Sequence, residues 1–108
     1  FFIWETLGMT SRLDRATGAL WGVAIGDALG MPTQSYSRQE IEKLFGPLVT
    51  SLHDAPANHP YAQGLHAGQV TDDTEQTVLL AELLIRYEGN VPMEALATML
   101  LSSPKVFL

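Results

Sequence analysis

The sequence contains no cysteine, few basic residues and no long apolar run. The absence of cysteine excludes disulfide bonds and thiolate metal sites, and it agrees with a reducing compartment, so a cytoplasmic location is expected. Six lysines and arginines stand against twelve aspartates and glutamates, which gives a net charge of -6. An acidic chain without a basic cluster is a poor candidate for binding nucleic acids or anionic lipids, although it suits a cation.

The length of the chain limits the number of domains, and its first residues indicate where the domain begins. A sequence of 108 residues is enough for one small domain. No apolar stretch approaches the roughly 20 residues of a membrane-spanning helix, so no membrane partner is expected. Residues 1–8 lack the basic start and apolar core of a signal peptide. We interpret them as a leader outside the domain, with Met9 as the natural initiator.

Four segments carry the pattern of helices, and no alternation typical of strands is long enough to indicate a sheet. Ser-x-x-Asp and Ser-x-x-Glu spacings, which are typical of capping boxes, precede the first two segments. A stretch rich in proline and glycine, residues 47–70, is predicted to be a long loop. The sequence therefore predicts an all-α fold. The predicted helices begin at Ser11, Ser37, the TDDTE segment and Pro92, and they end near Gly30, Gly46, Gly89-Asn90 and Ser102.

Two apolar features predict contacts with further protein. Glycines recur at every fourth position of the first helix, from Gly18 to Gly30, and each costs about 1 kcal/mol relative to alanine. Close approach of another backbone or of a ligand would compensate for that cost. The third helix is apolar on nearly every face from Val78 to Ile85, which predicts burial on all sides. We therefore expect a larger protein, or self-association through exposed apolar helix faces. The residues predicted to face the core include Met31, Met93, Leu96, Ala97, Met99, Leu100 and Leu101.

The stretch TDDTE, Thr71 to Glu75, has two interpretations that the residues alone leave open. Thr71 or Asp72 can cap the third helix, and acidic residues in the first turn complement the helix dipole. Alternatively, carboxylate and hydroxyl oxygens suit a hard cation such as Mg²⁺, and adjacent aspartates can bind two ions. The three histidines fit no known zinc spacing.

Three motifs resemble the ADP-ribosylglycohydrolase family in their order and separation: GALWGVAIGDALGMPTQ, then FGPL, then GQVTDDTEQTVLLAELL. The resemblance implies the N-terminal part of a compact, orthogonal helical bundle, which we expect to span residues 9–104. It also implies a centre of two Mg²⁺ ions and hydrolysis of the glycosidic bond between ADP-ribose and an acceptor, either a modified protein or a small molecule. In this pattern Thr71, Asp72 and Asp73 ligate magnesium.

The sequence departs from the family pattern at Gln34, where some members carry a glutamate that acts near the scissile bond. Glutamine can hydrogen-bond a ribose hydroxyl or a water molecule, but it cannot accept a proton at neutral pH. The candidate catalytic residues are therefore Gln34 and Asp72, with Asp72 or a metal-bound water as the alternative base. Asp27, in the Gly-Asp motif, is interpreted as supporting its neighbours.

A second departure concerns the end of the chain. Family members contribute further metal ligands from a later D-x-D-[ST] motif, whereas residues 105–108 do not continue the pattern. We expect the chain to be an N-terminal part with a truncated tail, inactive by itself. Two alternatives stay open: a non-catalytic relative that binds ADP-ribose or serves a structural role, and a hydrolase of another small N-glycoside.

Overall fold

A computed structural model describes residues 10–102, so the interpretations of residues 1–8 and 105–108 lie outside the described part. This part is helical, with no strand between residues 10 and 102, and it confirms the all-α prediction. The elements are helix α1 (Arg12–Gly30), a 3₁₀ turn (Met31–Thr33), α2 (Arg38–Phe45), α3 (Asp72–Arg86) and α4 (Met93–Ser102).

Helices α1 and α2 begin at the capping boxes that the sequence predicts. The Ser11 hydroxyl accepts the backbone N–H of Asp14 at 3.0 Å, and the Asp14 carboxylate accepts the backbone N–H of Ser11 at 3.0 Å. Ser37 and Glu40 repeat this exchange at α2. In both cases the reciprocal bonds satisfy N–H groups that have no partner inside the helix.

Helix α3 ends at Arg86, three residues before the predicted Gly89. The reason is a left-handed turn: Glu88 has φ 50° and Gly89 has φ 86°. The backbone N–H of Gly89 donates to the Leu84 carbonyl at 2.8 Å, which satisfies an otherwise unpaired carbonyl of the last turn. Gly89 therefore correctly predicted that the helix ends here, although it lies three residues beyond the last helical residue.

The long predicted loop is present between α2 and α3, and it folds around the side chain of His59. This imidazole is 3% exposed, and its Nδ1 accepts the backbone N–H groups of Tyr61 at 3.1 Å and Ala62 at 2.8 Å. The edge of the Tyr36 ring packs against it, with ring centroids 5.3 Å apart. His59 therefore serves as an internal hydrogen-bond acceptor that shapes the loop.

We expect His59→Ala to lower the free energy of unfolding by about 2 kcal/mol, because two backbone N–H groups lose their acceptor in a largely buried place. His59→Asn is the matched control, since an asparagine oxygen can accept N–H groups a few residues further along the chain. Urea unfolding followed by circular dichroism measures both. Equal stability of His59→Ala and the wild type would contradict this role of the imidazole.

The apolar interior of the described part is small. Its buried members are Ala28, Met31, Pro32, Ala62 and Leu83, from α1, the 3₁₀ turn, the loop and α3. The Cα radius of gyration is 17.4 Å, whereas a compact domain of this length has a radius of about 13 Å. The described helices therefore do not close around a large core by themselves.

Several residues that the sequence predicts to be buried are exposed within the described part of the chain. Met93 is 74% exposed and Leu101 is 81% exposed, so α4 does not bury its predicted face. On α3, Ile85 is 80% exposed, and only Leu83 and Thr74 are buried. The glycine stripe of α1 is also open, because a methyl group added at Gly18, Gly22, Gly26 or Gly30 would meet nothing within 4 Å in the described chain. Helical patterning records which faces are apolar, but it does not identify what covers them.

Among the helices between residues 10 and 102, none has both the length and the apolar character required to cross a membrane.

Candidate functional site

The packing of α1 against α3 brings Asp27 to the first turn of α3. One carboxylate oxygen, Oδ1, accepts the hydroxyl of Thr71 at 2.8 Å. The other, Oδ2, accepts the hydroxyl of Thr74 at 2.6 Å and the backbone N–H groups of Thr71 at 2.8 Å and Thr74 at 3.3 Å. A single side chain near the end of one helix therefore holds the start of another.

The cluster of Asp27, Thr71 and Thr74 is sheltered from solvent, since both threonines are buried. Partial burial alone would raise the pKa of Asp27. Four hydrogen bonds lower this pKa, from the side chains and the backbone N–H groups of Thr74 and Thr71, and together they outweigh the effect of burial. The pKa of Asp27 is therefore held below its ordinary value, and Asp27 is an ionised acceptor at neutral pH.

Thr71 is the N-cap of α3, which decides between the two predicted caps. Its Oγ1 accepts the backbone N–H of Asp73 at 3.3 Å, and Asp72 is the first residue of the helix. The acidic residues Asp72, Asp73 and Glu75 lie in the first turn, where their charge complements the helix dipole. The capping interpretation is therefore confirmed for Thr71, and Asp72 is not the cap.

A cleft of about 470 Å³ lies beside this cluster. Its polar lining comprises Asp27 and Gln34, which are close in the sequence, and Asp73 from the distant start of α3. The glycine stripe of α1 also lines it, with Gly22, Gly26 and Gly30 alongside Val23 and Met31. Because these glycines carry no side chain, the cleft extends down to the helix backbone.

Of the predicted site residues, Asp73 and Gln34 line the cleft and are exposed to solvent. Asp72 is exposed next to Asp73 but does not line the cleft, and its Oδ2 lies 3.5 Å from Gln76 Nε2. Thr71 lies at the mouth of α3, buried against Asp27. The structure therefore places three predicted residues at one helix start, with Gln34 in the lining of the adjacent cleft.

The oxygen donors of Thr71, Asp72 and Asp73 are of the kind that Mg²⁺ and Mn²⁺ accept. Within residues 10–102, no group of three or more histidine, aspartate or glutamate side chains is close enough to enclose an ion. The oxygens at the start of α3 fit such an ion in their chemistry.

Sequence reasoning did not identify the hydrogen bonds between Asp27 and the two threonines. The repeated threonines of TDDT could have indicated these bonds, because helix capping accounts for only one of the two hydroxyls. Thr74 lies three residues after Thr71, so both hydroxyls can face the same neighbouring helix. Identifying Asp27 as the shared acceptor required knowledge of how α1 packs.

The chain is similar in sequence to several known proteins. An uncharacterised protein of Escherichia coli K12, YegU, is 34% identical over 80 residues, which cover 74% of this chain and 24% of the relative. The ADP-ribosyl-[dinitrogen reductase] glycohydrolase of Rhodospirillum rubrum is 37% identical over 71 residues, 66% of this chain and 22% of that protein. ADP-ribosylarginine hydrolase Tri1 of Pseudomonas putida GB-1 is 35% identical over 80 residues, 74% of this chain and 19% of Tri1.

The chain thus spans about a quarter or less of the length of these relatives. No solved structure has significant similarity to it. The profile of the ADP-ribosylglycohydrolase family matches residues 9–103, which include every residue of the cluster and the cleft described above. The chain belongs to the ADP-ribosylglycohydrolase family.

Proposed function

We propose that the full-length protein is a magnesium-dependent hydrolase of the glycosidic bond between ADP-ribose and an acceptor. The observation that carries the proposal is the cleft beside the start of α3 that both Asp73 and Gln34 line. Two relatives are named for the hydrolysis of ADP-ribosyl groups, one from dinitrogen reductase and one from arginine. An ADP-ribosylated protein is therefore the proposed substrate, and the cytoplasm is the proposed compartment.

In this proposal, Thr71, Asp72 and Asp73 hold the metal at the start of α3. The bound metal would supply positive charge to orient the ribose hydroxyls and to lower the pKa of an attacking water. The positive dipole end at the N-terminus of α3 complements the negative charge of these aspartates. Further oxygen ligands would come from parts of the full-length protein outside this sequence, since Mg²⁺ requires a nearly complete octahedron.

The side chains of the cleft have distinct proposed roles. Gln34 would donate or accept a hydrogen bond to a ribose hydroxyl or to the attacking water, but its amide cannot accept a proton at neutral pH. Asp72, which lies just outside the cleft, is the proposed proton acceptor as well as a proposed ligand, because it is exposed at the start of α3. The open wall of glycines leaves room for a flat or extended substrate group to approach the backbone of α1.

The test is hydrolysis of an arginine-ADP-ribosylated protein by the full-length enzyme, measured as released ADP-ribose. We expect release with Mg²⁺ and loss of release with excess EDTA, restored by added Mg²⁺. No release by the full-length protein on either protein or small-molecule substrates would refute the hydrolase proposal.

A second candidate function is binding of ADP-ribose without cleavage. Gln34 favours it, because an amide stands where some family members carry a glutamate. Isothermal titration of the full-length protein with ADP-ribose and Mg²⁺ separates the two functions. Binding together with turnover supports the hydrolase, and binding without turnover supports the second candidate.

We expect Gln34→Glu to increase the hydrolysis rate about tenfold, because a carboxylate at this place can act as a general base. A fully positioned general base contributes about 10²–10⁴-fold, so the expected increase is a small part of that effect. Gln34→Ala is the control, and it should be slower than the wild type. Equal rates for all three proteins would exclude a role for this position.

A further inference from the structure

We propose that Asp27 is a positioning residue that sets the direction of the Thr71 hydroxyl, so that a lone pair and not the proton faces the metal. This inference rests on the proposed metal site and goes beyond it, because it assigns a role to a residue that does not itself bind the ion. It follows from counting the donors and acceptors around a single oxygen atom, Thr71 Oγ1.

A threonine hydroxyl has one proton to donate and two lone pairs that can accept. The carboxylate of Asp27 has no proton to give, so the 2.8 Å contact between Thr71 Oγ1 and Asp27 Oδ1 must use the threonine proton. The backbone N–H of Asp73 occupies one lone pair of Thr71 Oγ1 at 3.3 Å. One lone pair therefore stays available for a cation.

The orientation is strongly determined, because Asp27 is itself held in place. Its Oδ2 accepts three hydrogen bonds, from the backbones of Thr71 and Thr74 and from the Thr74 hydroxyl. These three contacts leave Oδ1 to face Thr71 Oγ1. The burial of both threonines keeps bulk water from competing for the hydroxyl proton.

Asp27→Asn reverses this arrangement with little change of shape. The amide oxygen is expected to take the place of Oδ2, where it retains three donors, so the amide NH₂ group faces Thr71 Oγ1. The hydroxyl must then accept from this NH₂ group as well as from Asp73. Both lone pairs are occupied, and the proton points outward, where it repels a cation.

The experiment is a double-mutant cycle on the affinity of the full-length protein for Mn²⁺, measured by isothermal titration in the absence of substrate. We expect Asp27→Asn and Thr71→Val each to weaken binding by about 10–100-fold, the usual effect of losing a partner of a metal ligand. Combining them should weaken binding by less than about twofold beyond Thr71→Val alone, because Asp27 acts only through the hydroxyl. Thr71→Ser keeps the hydroxyl, so it should bind like the wild type and stay sensitive to Asp27→Asn.

If the fold-changes in Mn²⁺ affinity of the two single variants multiply in the double variant, the inference is overturned. It is also overturned if Asp27→Asn binds Mn²⁺ as tightly as the wild type does. If wild-type protein binds no Mn²⁺, the proposed metal site fails and the inference fails with it, whereas binding with independent effects refutes only the role of Asp27. A crystal structure of the wild type with Mg²⁺ provides a test that does not depend on variants folding. It should place Thr71 Oγ1 at about 2.1 Å from the ion, and a distance beyond coordination would also overturn the inference.

Discussion

Replacing Asp72 by alanine is expected to reduce metal-dependent hydrolysis by the full-length protein at least a hundredfold. Even partners that only orient a metal ligand contribute about 10–100-fold to affinity or activity, and Asp72 is proposed to bind the ion directly and to accept a proton. The measurement is the rate of ADP-ribose release at saturating Mg²⁺, together with the Mg²⁺ concentration that gives half of the maximal rate.

The matched control for Asp72→Ala is Glu94→Ala. Glu94 is also an exposed acidic residue in the first turn of a helix, α4, so its removal has a similar effect on the helix dipole, about 0.3–1 kcal/mol. We expect Glu94→Ala to keep wild-type activity. If Asp72→Ala also kept it, the carboxylate of Asp72 would serve only the helix dipole, and the assignment as a ligand would be wrong.

Asp27→Ala is expected to give the largest loss of stability in the described part of the chain. Four hydrogen bonds to a charged acceptor disappear, and two backbone N–H groups and two buried hydroxyls lose their partner. Hydrogen bonds to a charged group contribute about 1.5–3 kcal/mol, but their effects are not additive, and we expect a total loss of about 3 kcal/mol. Chemical unfolding of the metal-free protein measures this difference.

Asp27→Asn, which retains three of the four contacts, should lose clearly less stability than Asp27→Ala. An equal loss in the two variants would contradict the bonding pattern. The same carboxylate also makes stability depend on pH. Because the pKa of Asp27 is lower in the folded state, its contribution is present above the ordinary value of 3.8 and is lost as pH falls through the folded-state pKa. The difference in stability between the wild type and Asp27→Asn should therefore shrink below about pH 4.

The features that the sequence predicted correctly are local. The caps at Ser11, Ser37 and Thr71 depend on residues within three positions of each other, and the left-handed Gly46 ends α2 as expected. Such bonds form wherever the segment is helical, so the chain reveals them without knowledge of the rest of the fold. The all-α class follows from the same local signals.

The features that the sequence could not predict are set by distant parts of the chain. The bonds between Asp27 and the two threonines depend on the crossing of α1 over the start of α3, which no short-range spacing encodes. The exposure of Ile85, Met93 and Leu101 has a related cause. Their apolar pattern indicates a buried face, but the described helices do not provide the covering surface. Self-association through these faces stays a prediction.

The site itself was partly predictable. The triplet Thr71, Asp72 and Asp73 was identified from its donor chemistry and the resemblance, and Gln34 was identified by its position after the Gly-Asp motif. That Gln34 and Asp73 line one cleft became evident only from the folded chain, since the 3₁₀ turn redirects the backbone after α1. Their roles as ligands and catalytic groups stay proposals.

The most direct test of the central claim, that the start of α3 binds divalent cations, is anomalous X-ray scattering from crystals of the full-length protein soaked in Mn²⁺. We predict an anomalous peak within coordination distance of the carboxylates of Asp72 and Asp73 and of Thr71 Oγ1. Crystals with no manganese at this helix start, and with both carboxylates turned toward solvent, would contradict it.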